Sequence, residues 1–220
     1  MNLFDIVGPV MVGPSSSHTA GAVRIGQVSR HLLGESVKEA KILLHGSFLA
    51  TGKGHGTDKA LVGGILGFDP DDARIKYSFE LAKEQGVKFE FIKTNLGENV
   101  HPNTVKMEMI LEDGSKSTVM GASIGGGNIK LTEMDGLALD FNGSRSAVVL
   151  EIKDIPGAIA FITGILGHNN KNISMISTNK PAKSEYTFLT IETEDELESS
   201  LIDQLRKFEV VAKVVVLDKF

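Results

Sequence analysis

The last 75 or so residues constrain the fold more than any other stretch of the chain. After the turn cluster Asn142-Gly143-Ser144, a strand pattern covers Ala147–Ile152 and a helical pattern covers Gly157–His168. Two strand patterns follow, Ile173–Thr178 and Tyr186–Glu192, then a helical pattern over Glu194–Phe208 and a final strand over Val210–Leu217. The order is β-α-β-β-α-β, the ferredoxin-like arrangement. Thr193 and Glu196 have capping-box spacing at the second helix, and the acids of its first turn suit the helix dipole, so this run reads as a solvated helix start. The turn cluster divides the chain into two domains, 1–143 and 144–220.

The first domain reads as mixed α/β. Small and apolar residues at helical spacing predict a helix over Thr19–Leu33, capped by Ser16 or Ser17 and ended by Gly34. A strand is expected over Lys41–Leu49, then a Gly-rich connection over 51–57 and a helix from Asp58 to Leu66. Asp72–Gln85 has an amphipathic helical pattern ended by Gly86. Strands are expected at Lys88–Lys93, Thr104–Leu111 and Ser117–Ile124, the last two joined by a turn at Glu112-Asp113-Gly114. Gly125-Gly126-Gly127 then separates a strand at Asn128–Leu131, and Leu137–Phe141 closes the region.

Composition excludes several function classes. There are 28 acids against 23 bases, which argues against binding nucleic acid through a general polycation surface. Cysteine is absent, so no disulfide, thiolate nucleophile, zinc knuckle or iron–sulfur ligand set comes from this chain. The first nine residues lack the basic start of a signal peptide, and no apolar run reaches membrane-spanning length, so a cytoplasmic location is expected.

The most informative stretch is Gly13-Pro14-Ser15-Ser16-Ser17-His18-Thr19, with hydroxyls clustered at a helix start. Free N–H groups and partial positive charge there suit a carboxylate or phosphate, and His18 adds a proton carrier near neutral pH. The same segment also reads as a plain helix cap with an exposed histidine. A nucleophilic serine is disfavoured because no Gly-x-Ser-x-Gly elbow is present. Gly52-Lys53-Gly54-His55 lacks the third glycine of a dinucleotide fingerprint and the Lys-Ser/Thr of a Walker loop. It reads either as a backbone anion contact beside His55 or as a simple connection. His101-Pro102-Asn103-Thr104 is a second polar cluster entering a strand, while His31 and His45 read as structural.

Taken together, four motifs in order resemble the β chain of bacterial iron–sulfur L-serine dehydratases: residues 13–19, Lys53–Asp58, His101–Thr104 and Ser123–Asn128. The Asp154-Ile155-Pro156-Gly157 turn and the Asn172-Ile173 start of the next strand resemble an ACT domain. The resemblance implies an N-terminal allosteric-substrate-binding domain followed by an ACT domain, and deamination of L-serine to pyruvate and ammonia. It implies His18 as catalytic, and Ser16, Ser17, Thr19, His55, His101 and Asn103 as substrate-binding. Asp154, Gly157, Asn172 and Ile173 would line a regulatory amino-acid site at an ACT-mediated homodimer; a dimerisation unit without ligand is the alternative. It implies a [4Fe–4S] cluster on a separate α chain, this chain holding no metal and being inactive alone. Two other readings are a non-catalytic amino-acid sensor and the regulatory part of a phosphoglycerate dehydrogenase-like enzyme, though no intact nucleotide fingerprint supports the second.

Overall fold

Alternating burial along each strand and a helical stripe of small residues determine how the first unit is layered. The structure, a computed structural model, describes residues 9–33, 36–217 and 219. The expected helix stop at Gly34 and the first eight residues lie outside them. The chain divides into two units at Gly136/Leu137, so the strand at 137–141 is grouped with the second unit, ahead of the turn cluster at 142–144. No helix among the described residues is long and apolar enough to cross a membrane.

A widened π-helical turn, Ser16–Ala20, runs directly into α1 (Gly21–Leu33), and β1 (Val37–Leu44) follows. Three short helical segments come next: α2 (Gly46–Ala50), α3 (Gly52–His55) and α4 (Thr57–Ile65). A 3-10 turn at Ala73–Tyr77 leads to α5 (Ser78–Glu84), then β2 (Lys88–Lys93), β3 (Thr104–Leu111), β4 (Lys116–Gly125), β5 (Asn128–Met134) and β6 (Leu137–Phe141). The sheet order is β2-β1-β3-β4-β5-β6, with β2 parallel to β1 and the β1–β3, β3–β4 and β4–β5 pairs antiparallel. A parallel pair cannot be closed by a hairpin, and here the crossover carries α2 to α5.

Ile42, Met107, Met109, Val119, Ile129 and Leu131 are fully buried on the covered face of this sheet, with Ile25 and Leu32 from α1 and Leu61 from α4. Each such side chain contributes on the order of 1.5–3 kcal/mol. The α1–α4 contact is unusually close. An ideal Cβ at Gly26 would lie 2.6 Å from the Leu61 carbonyl oxygen, and one at Gly64 would lie 2.1 Å from that of Val23. Only glycine lets the two helix backbones meet this way, and the consequence is that the start of α1 and the start of α4 are held side by side.

Several local expectations are corrected. The strand expected over Lys41–Leu49 ends at Leu44, because Gly46 turns the chain into α2 with φ +53°. A Cβ there would lie 2.5 Å from the Pro102 carbonyl oxygen, which instead accepts the Ser47 N–H at 2.7 Å. The Gly-rich connection is itself helical over α3. The helix expected over 72–85 is split into the 3-10 turn and α5. The cap of the first helix is Ser15, not Ser16 or Ser17: its Oγ accepts the His18 N–H at 3.2 Å.

The second unit follows the expected order: β7 (Ser146–Lys153), α6 (Ala158–His168), β8 (Ile173–Asn179), β9 (Tyr186–Thr193), α7 (Ser199–Arg206) and β10 (Val211–Leu217). Its sheet is ordered β10-β7-β9-β8, and Leu150, Ile152, Ile162, Leu166, Leu189, Ile191 and Leu205 form the core. The capping box at Thr193 is not formed. Thr193 ends β9 and donates to the Asp195 carbonyl at 2.7 Å, so α7 starts only after Glu198.

Candidate active site

Ser15 ends an extended segment and its side chain closes the first helical turn, so the following histidine is fixed at both backbone and ring. The His18 Nδ1 lies 3.4 Å from Ser15 Oγ. Its Nε2 lies 3.1 Å from Ser47 Oγ on α2 and 3.1 Å from Thr51 Oγ1, in the link between α2 and α3. The buried Phe48 meets the ring edge-on at 5.4 Å between centroids. Both ring nitrogens of His18 are therefore occupied by protein hydroxyls.

His55, at the end of α3, is the second imidazole of the site. The two rings are 4.9 Å apart between centroids and tilted by 37°. His55 Nδ1 lies 2.9 Å from the Thr51 carbonyl oxygen. A carbonyl only accepts, so Nδ1 carries the proton and neutral His55 has its lone pair on Nε2. No protein group among the described residues is hydrogen-bonded to that nitrogen. Thr19 ties the two segments together by donating from Oγ1 to the His55 carbonyl at 3.2 Å. Burial lowers the His18 pKa most, the nearby His55 lowers it further, and contact with Ser47 partly opposes both. Burial and His55 both favour the neutral form of His18.

The other two motifs brace this centre. Pro102 receives the Ser47 N–H, His101 Nδ1 accepts the Asn103 N–H at 3.1 Å, and Asn103 Nδ2 donates to the Ser123 carbonyl at 3.4 Å. His101 itself is exposed. Ser123 is fully buried and lies against the backbone of Gly21, where an ideal Cβ would come within 2.1 Å of its Oγ. The triple-glycine turn has φ of 107°, 62° and 83°, and the Gly127 carbonyl accepts from Arg24 Nη1 at 2.8 Å. Ser16 and Ser17 are half-buried at the helix start beside His18.

Of the residues expected from sequence, the structure therefore gathers His18, Thr19 and His55, and places His101 and Asn103 on the segment that supports Ser47. Ser15, Ser47, Thr51 and Phe48 were not expected. The i, i+4 spacing of Ser47 and Thr51 puts both hydroxyls on one face of a helical turn, a signal hidden by reading Ser47 as strand and Thr51 as part of a Gly-rich connection.

In the second unit the four expected regulatory residues have different environments. Asp154 is already engaged: Lys180 Nζ pairs with one carboxylate oxygen, and Thr187 Oγ1 donates to the other at 3.0 Å. Those two bonds hold its carboxyl below the usual range. Gly157 lines an open apolar groove of about 350 Å³ with Ile155, Pro156, Phe161 and Phe208. Asn172 is exposed and Ile173 half-buried at the start of β8, apart from the lining of that groove.

The family described as "Serine dehydratase beta chain" matches residues 2–134. The chain is 46% identical over 198 residues to the "L-serine dehydratase, beta chain" of Peptoniphilus asaccharolyticus, covering 90% of this chain and 89% of that one. It is 38% identical over 213 residues to the "Probable L-serine dehydratase, beta chain" of Bacillus subtilis (strain 168), covering 97% and 96%. A solved ACT domain from the GTP pyrophosphokinase of Chlorobium tepidum aligns with 33% of this chain and 95% of its own, at 24% identity and a TM-score of 0.29.

Proposed function

The chain belongs to the serine dehydratase beta chain family, and from that premise we propose that, with a separate α chain, it converts L-serine to pyruvate and ammonia. The observation that carries the division of labour is the Nε2 of His55, without a hydrogen-bond partner among the described residues, beside a His18 whose two nitrogens are both bonded to hydroxyls. His55 is the proton acceptor, and His18 is a neutral strut that shapes the pocket. The serine carboxylate docks at the helix start, on the Ser16 and Ser17 N–H and hydroxyl groups, where the helix dipole favours negative charge. In this reading the substrate Cα–H faces His55.

Transfer of the Cα proton to Nε2 and departure of hydroxide from Cβ leave 2-aminoacrylate, and the proton on Nε2 then passes to the hydroxide to give water. Tautomerisation gives the imine, and hydrolysis of the imine gives pyruvate and ammonia. Hydroxide is a poor leaving group and needs electrophilic help. The family resemblance assigns that help to a [4Fe–4S] cluster, but this chain has no cysteine to hold one and its residues do not fit that role. We therefore assign the cluster to the α chain. In the second unit, we place a regulatory amino acid in the groove beside Gly157 at a homodimer contact. Asp154 there fixes the loop through Lys180 and Thr187, and Asn172 and Ile173 contribute from the partner copy.

The test is pyruvate formation by the purified chain alone and after anaerobic assembly with an α chain. Activity is expected only in the assembly, and His55→Gln should lower it by at least about a hundredfold, the low end for a general base. His18→Gln should cost less. Turnover by the chain alone would refute the two-chain reading, and a His55→Gln enzyme near full activity would refute the proton-acceptor reading.

A further inference from the structure

Among the described residues, Thr51 alone is hydrogen-bonded to both imidazoles. Its Oγ1 is 3.1 Å from His18 Nε2, and its carbonyl oxygen is 2.9 Å from His55 Nδ1. The same hydroxyl donates to the Ser47 carbonyl at 3.1 Å. A hydroxyl has one proton to give. With that proton on the Ser47 carbonyl, Thr51 Oγ1 faces His18 only as an acceptor, so the proton of neutral His18 sits on Nε2. Ser15 Oγ, which accepts the His18 N–H, then turns its own proton to Nδ1. In the opposite tautomer the Ser47 hydroxyl, 3.1 Å away, could donate to Nε2. Thr51 Oγ1 would then turn a lone pair toward that nitrogen's lone pair unless it gave up the Ser47 carbonyl.

We propose that Thr51 is a positioning residue that sets both tautomers, through its hydroxyl at His18 and its carbonyl at His55. It thereby fixes which nitrogen of each ring carries the proton and leaves the His55 lone pair on Nε2. Thr51 sits where α2 ends and α3 begins, with φ −121° and ψ −9°, a backbone conformation belonging to neither helix. This local break aims its carbonyl at one ring while its side chain reaches the other. The device rests on the reading of His55 as proton acceptor, but its two tautomers are measurable without turnover.

The experiment is nitrogen-15 NMR of the imidazoles in the full 220-residue chain, above the histidine titration range. His18 should be protonated at Nε2 and His55 at Nδ1. Thr51→Val keeps the shape but removes the hydroxyl. It should release His18 into a tautomer mixture, leave His55 unchanged, and lower kcat of the assembled enzyme by about tenfold, with KM within about twofold. Thr51→Ser should restore both. A proton on His18 Nδ1 or on His55 Nε2 in the unaltered chain overturns the proposal, whether or not the valine variant folds. So does a folded Thr51→Val chain with unchanged His18 tautomer and kcat. By contrast, the expected tautomers together with a fully active His55→Gln enzyme would leave the positioning role standing and remove the proton-acceptor reading.

Discussion

Gly64→Ala is the sharpest perturbation of the frame that brings the two histidines together. A methyl group at Gly64 would lie 2.1 Å from the Val23 carbonyl oxygen and 2.9 Å from both the Gln27 nitrogen and the Gly26 Cα. These are backbone atoms of a neighbouring helix, so no side chain can swing aside. Reaching even 3.0 Å from the carbonyl requires α1 and α4 to separate by roughly 1 Å. Overpacking of this kind costs about 3 kcal/mol, at the upper end of the usual range. Alanine returns about 1 kcal/mol through helix propensity, leaving a net loss of about 2 kcal/mol. With a urea slope of about 2 kcal/mol per molar, the unfolding midpoint should fall by about 1 M. His18 lies just before α1, and His55 lies two residues before α4, so the separation also pulls the rings apart. Misplacement by about 1 Å at a reacting centre costs on the order of a hundredfold in rate. Denaturant unfolding of the chain and pyruvate assays of the assembled enzyme read the two effects separately. A Gly64→Ala chain as stable and as active as the parent would refute the argument that glycine sets this spacing.

Other outcomes follow from single contacts. Gly164 on α6 has open space around an ideal Cβ, so Gly164→Ala should stabilise the chain by up to about 1 kcal/mol in the same unfolding assay. The lowered pKa of His18 means that the unfolded chain takes up its proton first on acidification. Stability should therefore be full above about pH 6.5 and decline below it until the folded-state His18 also titrates, and His18→Gln should flatten that limb of the pH–stability curve. Ser15→Ala removes the observed helix cap and should cost about 1 kcal/mol in thermal or urea unfolding.

Much of this protein is determined locally by its sequence. Lys88–Lys93, Thr104–Leu111 and Leu137–Phe141 are strands with the expected bounds, because apolar alternation and the flanking turn residues point the same way. The β-α-β-β-α-β order of the second unit was legible for the same reason, as were the motifs around His18 and His55. Where the reading failed, a distant group had outbid a local signal. Gly46 and Ser47 look like the end of a strand until the Pro102 carbonyl, more than fifty residues away, takes the Ser47 N–H and turns the chain into α2. Thr193 carries the right residue for a cap, yet β9 claims it as a strand end. The parallel pairing of β1 with β2 has no short-range signature, since it depends on the whole crossover between them. The roles of the two histidines are equally non-local. In sequence both are polar residues among glycines and hydroxyls. Tertiary structure alone gives His18 three hydroxyl partners and, among the described residues, leaves one nitrogen of His55 without a partner, because hydrogen-bond directions exist only after the helices have packed.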